Sequence, residues 1–243
     1  MPRFYAPPED WDSDGVLLRE EEARHAIRVL RLRQGERCEV FDGEGRSVTG
    51  CVGEKQGAGL RIEHDGHVRV DSVSGAEVVL VTAIAKGRTM DWILEKATEL
   101  SVSRIVAVVT ERTVVRLDAA GCLEKELRWR RDLVEACKQC GRNRLPELRV
   151  VRGLGEALRM TAGCGLRVFG ALDDRSRRIR EVVGSGGGVG GVAAFIGPEG
   201  DFTAEEGAEL RGAGVQPVGF GALVLRMETA VVYAVSVLKE MCL

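Results

Sequence analysis

Apolar and polar positions follow two different rhythms along the chain, and the change comes near Glu77. Before it, short alternating segments predominate. Glu20–Arg31 (EEEARHAIRVLR) starts acidic and ends basic, the order a helix dipole favours. Ala23, Ile27 and Leu30 recur there at near-helical spacing and predict one apolar face. Strands are expected at Arg37–Asp42 and Ser47–Glu54, around the turn-forming Asp42-Gly43-Glu44-Gly45, and again at Gly59–Glu63. A small β-barrel with one short helix is the expectation.

After Glu77 the apolar runs lengthen. Val78–Ala85 is continuous, as for a strand covered on both faces. Arg88–Leu100 has helical periodicity through Ile93, Ala97 and Leu100. Ile105–Val109 predicts a second buried strand, and Ala119–Cys140 a long amphipathic helix. Further strands fit Leu166–Leu172, Val192–Ile196 and Gln216–Gly219, with helices at Ala204–Gly212 and Thr229–Met241. The alternation predicts an α/β domain with a mainly parallel sheet. Asp71–Gly75 (DSVSG) reads as a linker, so domains are expected at residues 1–72 and 73–243.

Composition narrows the class. Hydrophobic residues make up 44% and charged residues 30% of 243, as in ordinary globular proteins. No run is long enough to cross a bilayer and the N-terminus carries no apolar signal core, so a cytoplasmic protein without membrane contact is expected. Seven cysteines form no regular framework. Cys137 and Cys140 make a C-x-x-C near a helix end, where packing or surface roles are favoured over metal or redox chemistry. His25, His64 and His67 lack acidic partners at metal spacing, so no metal is expected. With a net charge of −2, any nucleic-acid contact must come from local clusters. Two exist: Arg24, His25, Arg28, Arg31 and Arg33, then Arg128, Arg130, Arg131, Lys138, Arg142 and Arg144. They are either solvated faces or, in two separate domains, contacts for an extended RNA.

The glycines carry the most chemistry. Gly184–Gly191 predicts a flexible surface loop. Its G-x-G-x-x-G pattern (Gly186, Gly188, Gly191) precedes a strand instead of following one, the wrong context for a dinucleotide site. Phe195–Thr203 (FIGPEGDFT) reads as strand, tight turn and helix start, with Thr203 as N-cap and Glu206 three residues on. Gly219–Ala230 (GFGALVLRMETA) repeats the theme, with Arg226, Glu228 and Thr229 before an apolar helix. An ordinary pair of turns, with Thr229 as a cap and Arg226–Glu228 as a surface pair, is one outcome. A composite ligand pocket at the carboxyl ends of two parallel strands is the other. No G-x-S-x-G or P-loop is present.

In order along the chain, Pro2-Arg3-Phe4, His25, Val29-Leu30-Arg31, Gly35, Phe41-Asp42-Gly43, Lys86, Glu95–Leu100, Thr110-Glu111-Arg112, Glu135-Ala136, Gln139, Arg142, Pro146, Ile196–Gly200, Leu225-Arg226 and Glu228-Thr229-Ala230 resemble the ribosomal RNA small subunit methyltransferase E family. Four positions depart from its pattern. Ser101 and Asp201 stand where glycine is usual, Cys140 where a serine is usual, and Leu223 where a basic or polar residue is frequent.

The resemblance implies a PUA-like RNA-binding barrel followed by a SPOUT domain with a deep trefoil knot. It implies a homodimer that uses S-adenosylmethionine to methylate N3 of uridine 1498 in the 16S rRNA of the small ribosomal subunit. The cofactor pocket it implies comprises Leu172, Ile196, Gly197, Pro198, Glu199, Gly200, Phe220, Gly221, Val224, Leu225 and Thr229. Arg226 is the expected catalytic cation beside the anionic uracil ring, with Glu228 orienting it or accepting the N3 proton. RNA contacts are expected from Arg3, Arg24, His25, Arg28, Arg31, Arg112, Gln139 and Arg142. Two rivals are a ribose 2′-O SPOUT enzyme, whose usual Ser-Leu-Asn segment this chain lacks, and a non-catalytic RNA-binding protein.

Overall fold

Continuous runs of β-branched residues after Glu77 make strands that are buried on both faces, and helices with one apolar stripe cover them. A computed structural model shows this arrangement and describes residues 1–72, 77–172, 176–184 and 190–242. The linker and the glycine-rich loop expected from the sequence fall largely outside the described residues. The chain divides into two compact units, Met1–Val73 with Val134–Leu145, and Ser74–Leu133 with Pro146–Leu243.

The first unit holds β1 (Arg3–Tyr5), β2 (Gly15–Leu18), α1 (Glu20–Arg24), β3 (Arg37–Phe41), β4 (Arg46–Gln56), β5 (Gly59–Glu63) and β6 (Arg69–Val70). The sheet runs β1-β3-β4-β5-β2, with β6 on β4. All pairs are antiparallel except β1 with β3. Phe4, Val16, Leu18, Val40, Val52 and Ile62, from five strands, meet in one core. The expected helix is present only in part. After Arg24 the chain enters a π-helical turn, His25–Val29. The wider turn puts Ala26 beside Ala23 in the core and leaves Ile27 and Leu30 exposed, so the predicted apolar face is corrected.

Among the described residues, the second unit is built on seven strands: β7 (Val78–Ala83), β8 (Arg104–Val108), β9 (Glu147–Val151), β10 (Leu166–Gly170), β11 (Arg177–Arg178), β12 (Val192–Ile196) and β13 (Gln216–Gly219). Their order is β11-β13-β10-β12-β7-β8-β9, and every pair is parallel. Helices α2 (Arg88–Glu99), α4 (Leu154–Met160), α5 (Ile179–Val183), α6 (Ala204–Gly212) and α7 (Met227–Cys242) belong here. Helix α3 (Ala119–Cys140) begins in this unit, and its last residues are grouped with the first. In α7, Met227, Ala230, Val231, Ala234, Val235 and Leu238 are buried, at the spacing of a single helical stripe. Strands β9 and β11 and helices α4 and α5 had no expectation from the sequence.

Candidate active site

In a parallel sheet all strands end at the same edge, and there three loops meet. β10 lies between β13 and β12, so its end forms the floor between the two glycine loops. The result is a cleft of about 950 Å³. Gly170 has no side chain to spare. A Cβ there would stand 2.7 Å from Cε2 of Phe220, whose ring also packs on Tyr233 at 5.6 Å between centroids.

The first wall is the turn after β12. Asp201 N–H donates to the Pro198 carbonyl at 2.9 Å, and Asp201 has φ of 64°. That left-handed backbone explains why glycine is usual at this position and why Asp, which tolerates it, can replace it. Its carboxylate also accepts from Phe202 N–H at 2.8 Å. The predicted N-cap is present. Thr203 Oγ1 accepts from Glu206 N–H at 3.2 Å, and Glu206 Oε2 accepts from Thr203 N–H at 2.9 Å.

The second wall runs from Gly219 to Arg226. Gly221, at φ of 126°, turns the chain, and Leu223 and Val224 stand 80% and 75% exposed at the rim. Helix α7 starts at Met227, and the Arg226 carbonyl accepts the first helical bond, from Ala230 at 2.9 Å. Arg226 is therefore the residue just before the helix, and Thr229 lies within its first turn, which corrects the expected cap. The N-terminal end of α7 thus opens on the cleft, where its free N–H groups favour negative charge. The Arg226 side chain is exposed and has no ion pair among the described residues, and it does not pair with Glu228.

Of the anticipated cofactor residues, Leu172, Ile196, Gly197, Pro198, Glu199, Phe220, Gly221, Val224 and Leu225 line the cleft, together with Arg226 and Glu228. Gly200 and Thr229 do not line it. Thr89, Gly170, Ala171, Ser176, Arg178 and Met227 do, and sequence reasoning missed them. Ser176 carries a distinctive signal: its buried Oγ has no hydrogen-bond partner among the described residues.

The expected RNA contacts lie mostly in the first unit. Arg24, Arg28, Arg31 and Gln139 are exposed. Gln139 and Arg142 belong to Val134–Leu145, so the second basic cluster is divided between the units, contrary to expectation. Burial pushes the pKa of Arg142 down. Lys138, only 8% exposed, lies 2.9 Å from both Glu22 and Glu135 and 3.4 Å from His25 Nδ1. Burial opposes its charge, but the hydrogen bonds to Glu135 and Glu22 outweigh that and raise its pKa. Arg3 is turned inward at 10% exposure, paired with Glu39 and donating to the Cys137 carbonyl at 3.2 Å. Arg112 lies in the second unit and donates to the Gly200 carbonyl at 2.5 Å. Cys137 is buried, and that burial pushes its thiol up to about 12. No cluster able to hold a metal ion is found among the described residues, and none of their helices is long and apolar enough to cross a membrane.

Comparison with known proteins gives two family matches. The family described as "RNA methyltransferase domain" matches residues 73–239, and "RNA methyltransferase PUA domain" matches residues 18–58. The ribosomal RNA small subunit methyltransferase E of Mycobacterium bovis is 31% identical, over 88% of this chain and 82% of its own. A Legionella pneumophila protein solved with the bound cofactor SAM superposes with a TM-score of 0.87 at 32% identity, covering 98% of this chain and 96% of that one. The ribosomal RNA small subunit methyltransferase E of Neisseria gonorrhoeae, bound to S-adenosylmethionine, superposes with a TM-score of 0.84 at 30% identity, covering 100% and 98%.

Proposed function

The chain belongs to the ribosomal RNA small subunit methyltransferase E family, and from that premise we propose that it methylates N3 of uridine 1498 in 16S rRNA. S-adenosylmethionine is the methyl donor. The observation that carries this is the cleft itself, where two glycine turns face each other beside an arginine that has no ion pair among the described residues.

The residues fit such a donor. The cleft of about 950 Å³ is large enough for an adenosyl group with its amino-acid tail. Exposed apolar side chains at Leu172, Leu223 and Val224 offer surface for the adenosyl group, and the buried Ser176 hydroxyl offers a polar contact. When bound, the donor supplies a methyl on a sulfonium, open to in-line displacement.

The chain's own task is to hold the acceptor. Uracil N3 carries a proton and normally faces a pairing partner, so the base must be unpaired or swung out. Loss of that proton leaves an anionic ring, which the Arg226 guanidinium and the N-terminal end of α7 stabilise. Glu228, half-buried in the cleft wall, receives the proton. Arg24, His25, Arg28, Arg31, Gln139 and Arg142 track the RNA from the first unit, which acts as the RNA-binding domain. The second unit carries the SPOUT knot. The active form is a homodimer in the cytoplasm, where ribosomal RNA is assembled.

Mass-spectrometric mapping of small-subunit RNA incubated with the protein and S-adenosylmethionine tests this. A new 3-methyluridine at position 1498 is expected. Methylation at another base, at a ribose hydroxyl, or nowhere would overturn it.

A further inference from the structure

Arg112 lies outside the cleft, yet it holds one of the cleft's walls. Its Nη1 donates to the Gly200 carbonyl at 2.5 Å. The same peptide unit is bonded at its other end, because Asp201 N–H donates to the Pro198 carbonyl at 2.9 Å. A peptide plane held at both its C=O and its N–H cannot rotate without losing one of the two bonds. The turn needs that restraint. Gly197 and Gly200 flank Pro198 and Glu199, and glycine allows the backbone its widest choice. Pro198, Glu199 and Asp201 all face the cleft.

Arg112 is presented from a fixed platform. Thr113 N–H donates to the Thr110 carbonyl at 3.2 Å, and the two buried hydroxyls of these threonines are 2.8 Å apart. Glu111 N–H donates to Glu206 Oε1 at 2.8 Å, while the other oxygen of that carboxylate accepts from Thr203. One carboxylate thus ties the segment after β8 to the start of α6, and Arg112 ties it to the turn.

We propose that Arg112 is a positioning residue for the methyl donor: it fixes the Gly200 peptide so that the Pro198–Asp201 turn keeps its binding shape. It replaces an RNA contact as the role of this side chain. The proposal rests on the function proposed above. A charged donor on a carbonyl is among the stronger hydrogen bonds, and a turn ordered beforehand lowers the ordering cost of binding.

Calorimetry with S-adenosylmethionine, RNA affinity and steady-state kinetics on wild type, Arg112→Ala and Arg112→Lys test it. Arg112→Ala weakens donor affinity about tenfold or more. It raises KM for the donor with kcat nearly unchanged, and RNA affinity stays at the wild-type level. Arg112→Lys, which keeps a charged donor, recovers part of the loss. Should the alanine variant not fold, Arg112→Gln, which keeps bulk without charge, decides in the same way. Donor affinity equal to wild type in the neutral variant overturns the proposal, whatever happens to RNA affinity. Wild-type protein that binds no donor would instead remove the function on which it rests.

Discussion

The ring of Phe220 lies against the Cα of Gly170, closer than any side chain at that position would permit. An added Cβ would meet Cε2 at 2.7 Å and Cζ at 3.1 Å. The end of β10 and the loop after β13 therefore fit together only because residue 170 is glycine, and Phe220 is one wall of the cleft.

Gly170→Ala moves Phe220 out of place. Overpacking of this kind costs about 1–3 kcal/mol. Donor affinity measured by calorimetry should fall, while thermal denaturation shows a smaller loss. Unchanged affinity would mean that Phe220 does not shape the site.

Ser101 terminates α2 in a left-handed conformation, φ 62°. Its N–H reaches the Thr98 carbonyl at 3.0 Å, and Val102 N–H reaches the Ala97 carbonyl at 3.0 Å, the paired bonds of a Schellman ending. Glycine is the natural residue there. Ser101→Gly should raise stability by roughly 1 kcal/mol, offset in part by loss of the Lys239–Ser101 contact. Ser101→Val should lower it by about 1–2 kcal/mol. Urea denaturation midpoints check both directions.

Burial pushes the thiols of Cys38 and Cys137 up to about 12, from an ordinary 9.0. Both stay protonated in the folded protein while the unfolded chain ionises them. These two thiols therefore leave stability unchanged below about pH 9 and lower it between pH 9 and 12, by up to about 1.4 kcal/mol per pH unit for each. Denaturation midpoints across this window should fall less steeply in Cys137→Ala. An equal slope in that variant would contradict the assignment.

Arg226 has no ion pair among the described residues, so its removal strains nothing. Arg226→Ala should lower turnover by at least about a hundredfold, with donor affinity and melting temperature close to wild type. Near-normal turnover would take Arg226 out of the chemistry.

Much of this site is visible in the residue pattern, because strand, turn and cap signals fall close together around Phe195–Glu206. Helix α7 starts two residues before the Thr229 that the sequence suggests, since Thr229 looks like a cap while Arg226 supplies the backbone that serves as one. Ile27 and Leu30 are exposed against the helical spacing because a π-turn breaks the 3.6-residue period, and no single side chain announces one. Gly170 and Ser176 enter the cleft through strand order, which places β10 between β12 and β13, and linear spacing carries no trace of it. The grouping of Val134–Leu145 with the first unit is equally non-local. It depends on pairings such as Asn143 with Asp71 at 3.0 Å and Leu145 with Gly43 at 2.9 Å.

The most direct test is a crystal structure of the protein soaked with S-adenosylmethionine. Electron density for the adenosyl group should lie between Ile196–Asp201 and Gly219–Leu225, with the methyl directed toward the Arg226 side. Density elsewhere on the protein, or a cleft that stays vacant at saturating donor, would contradict it.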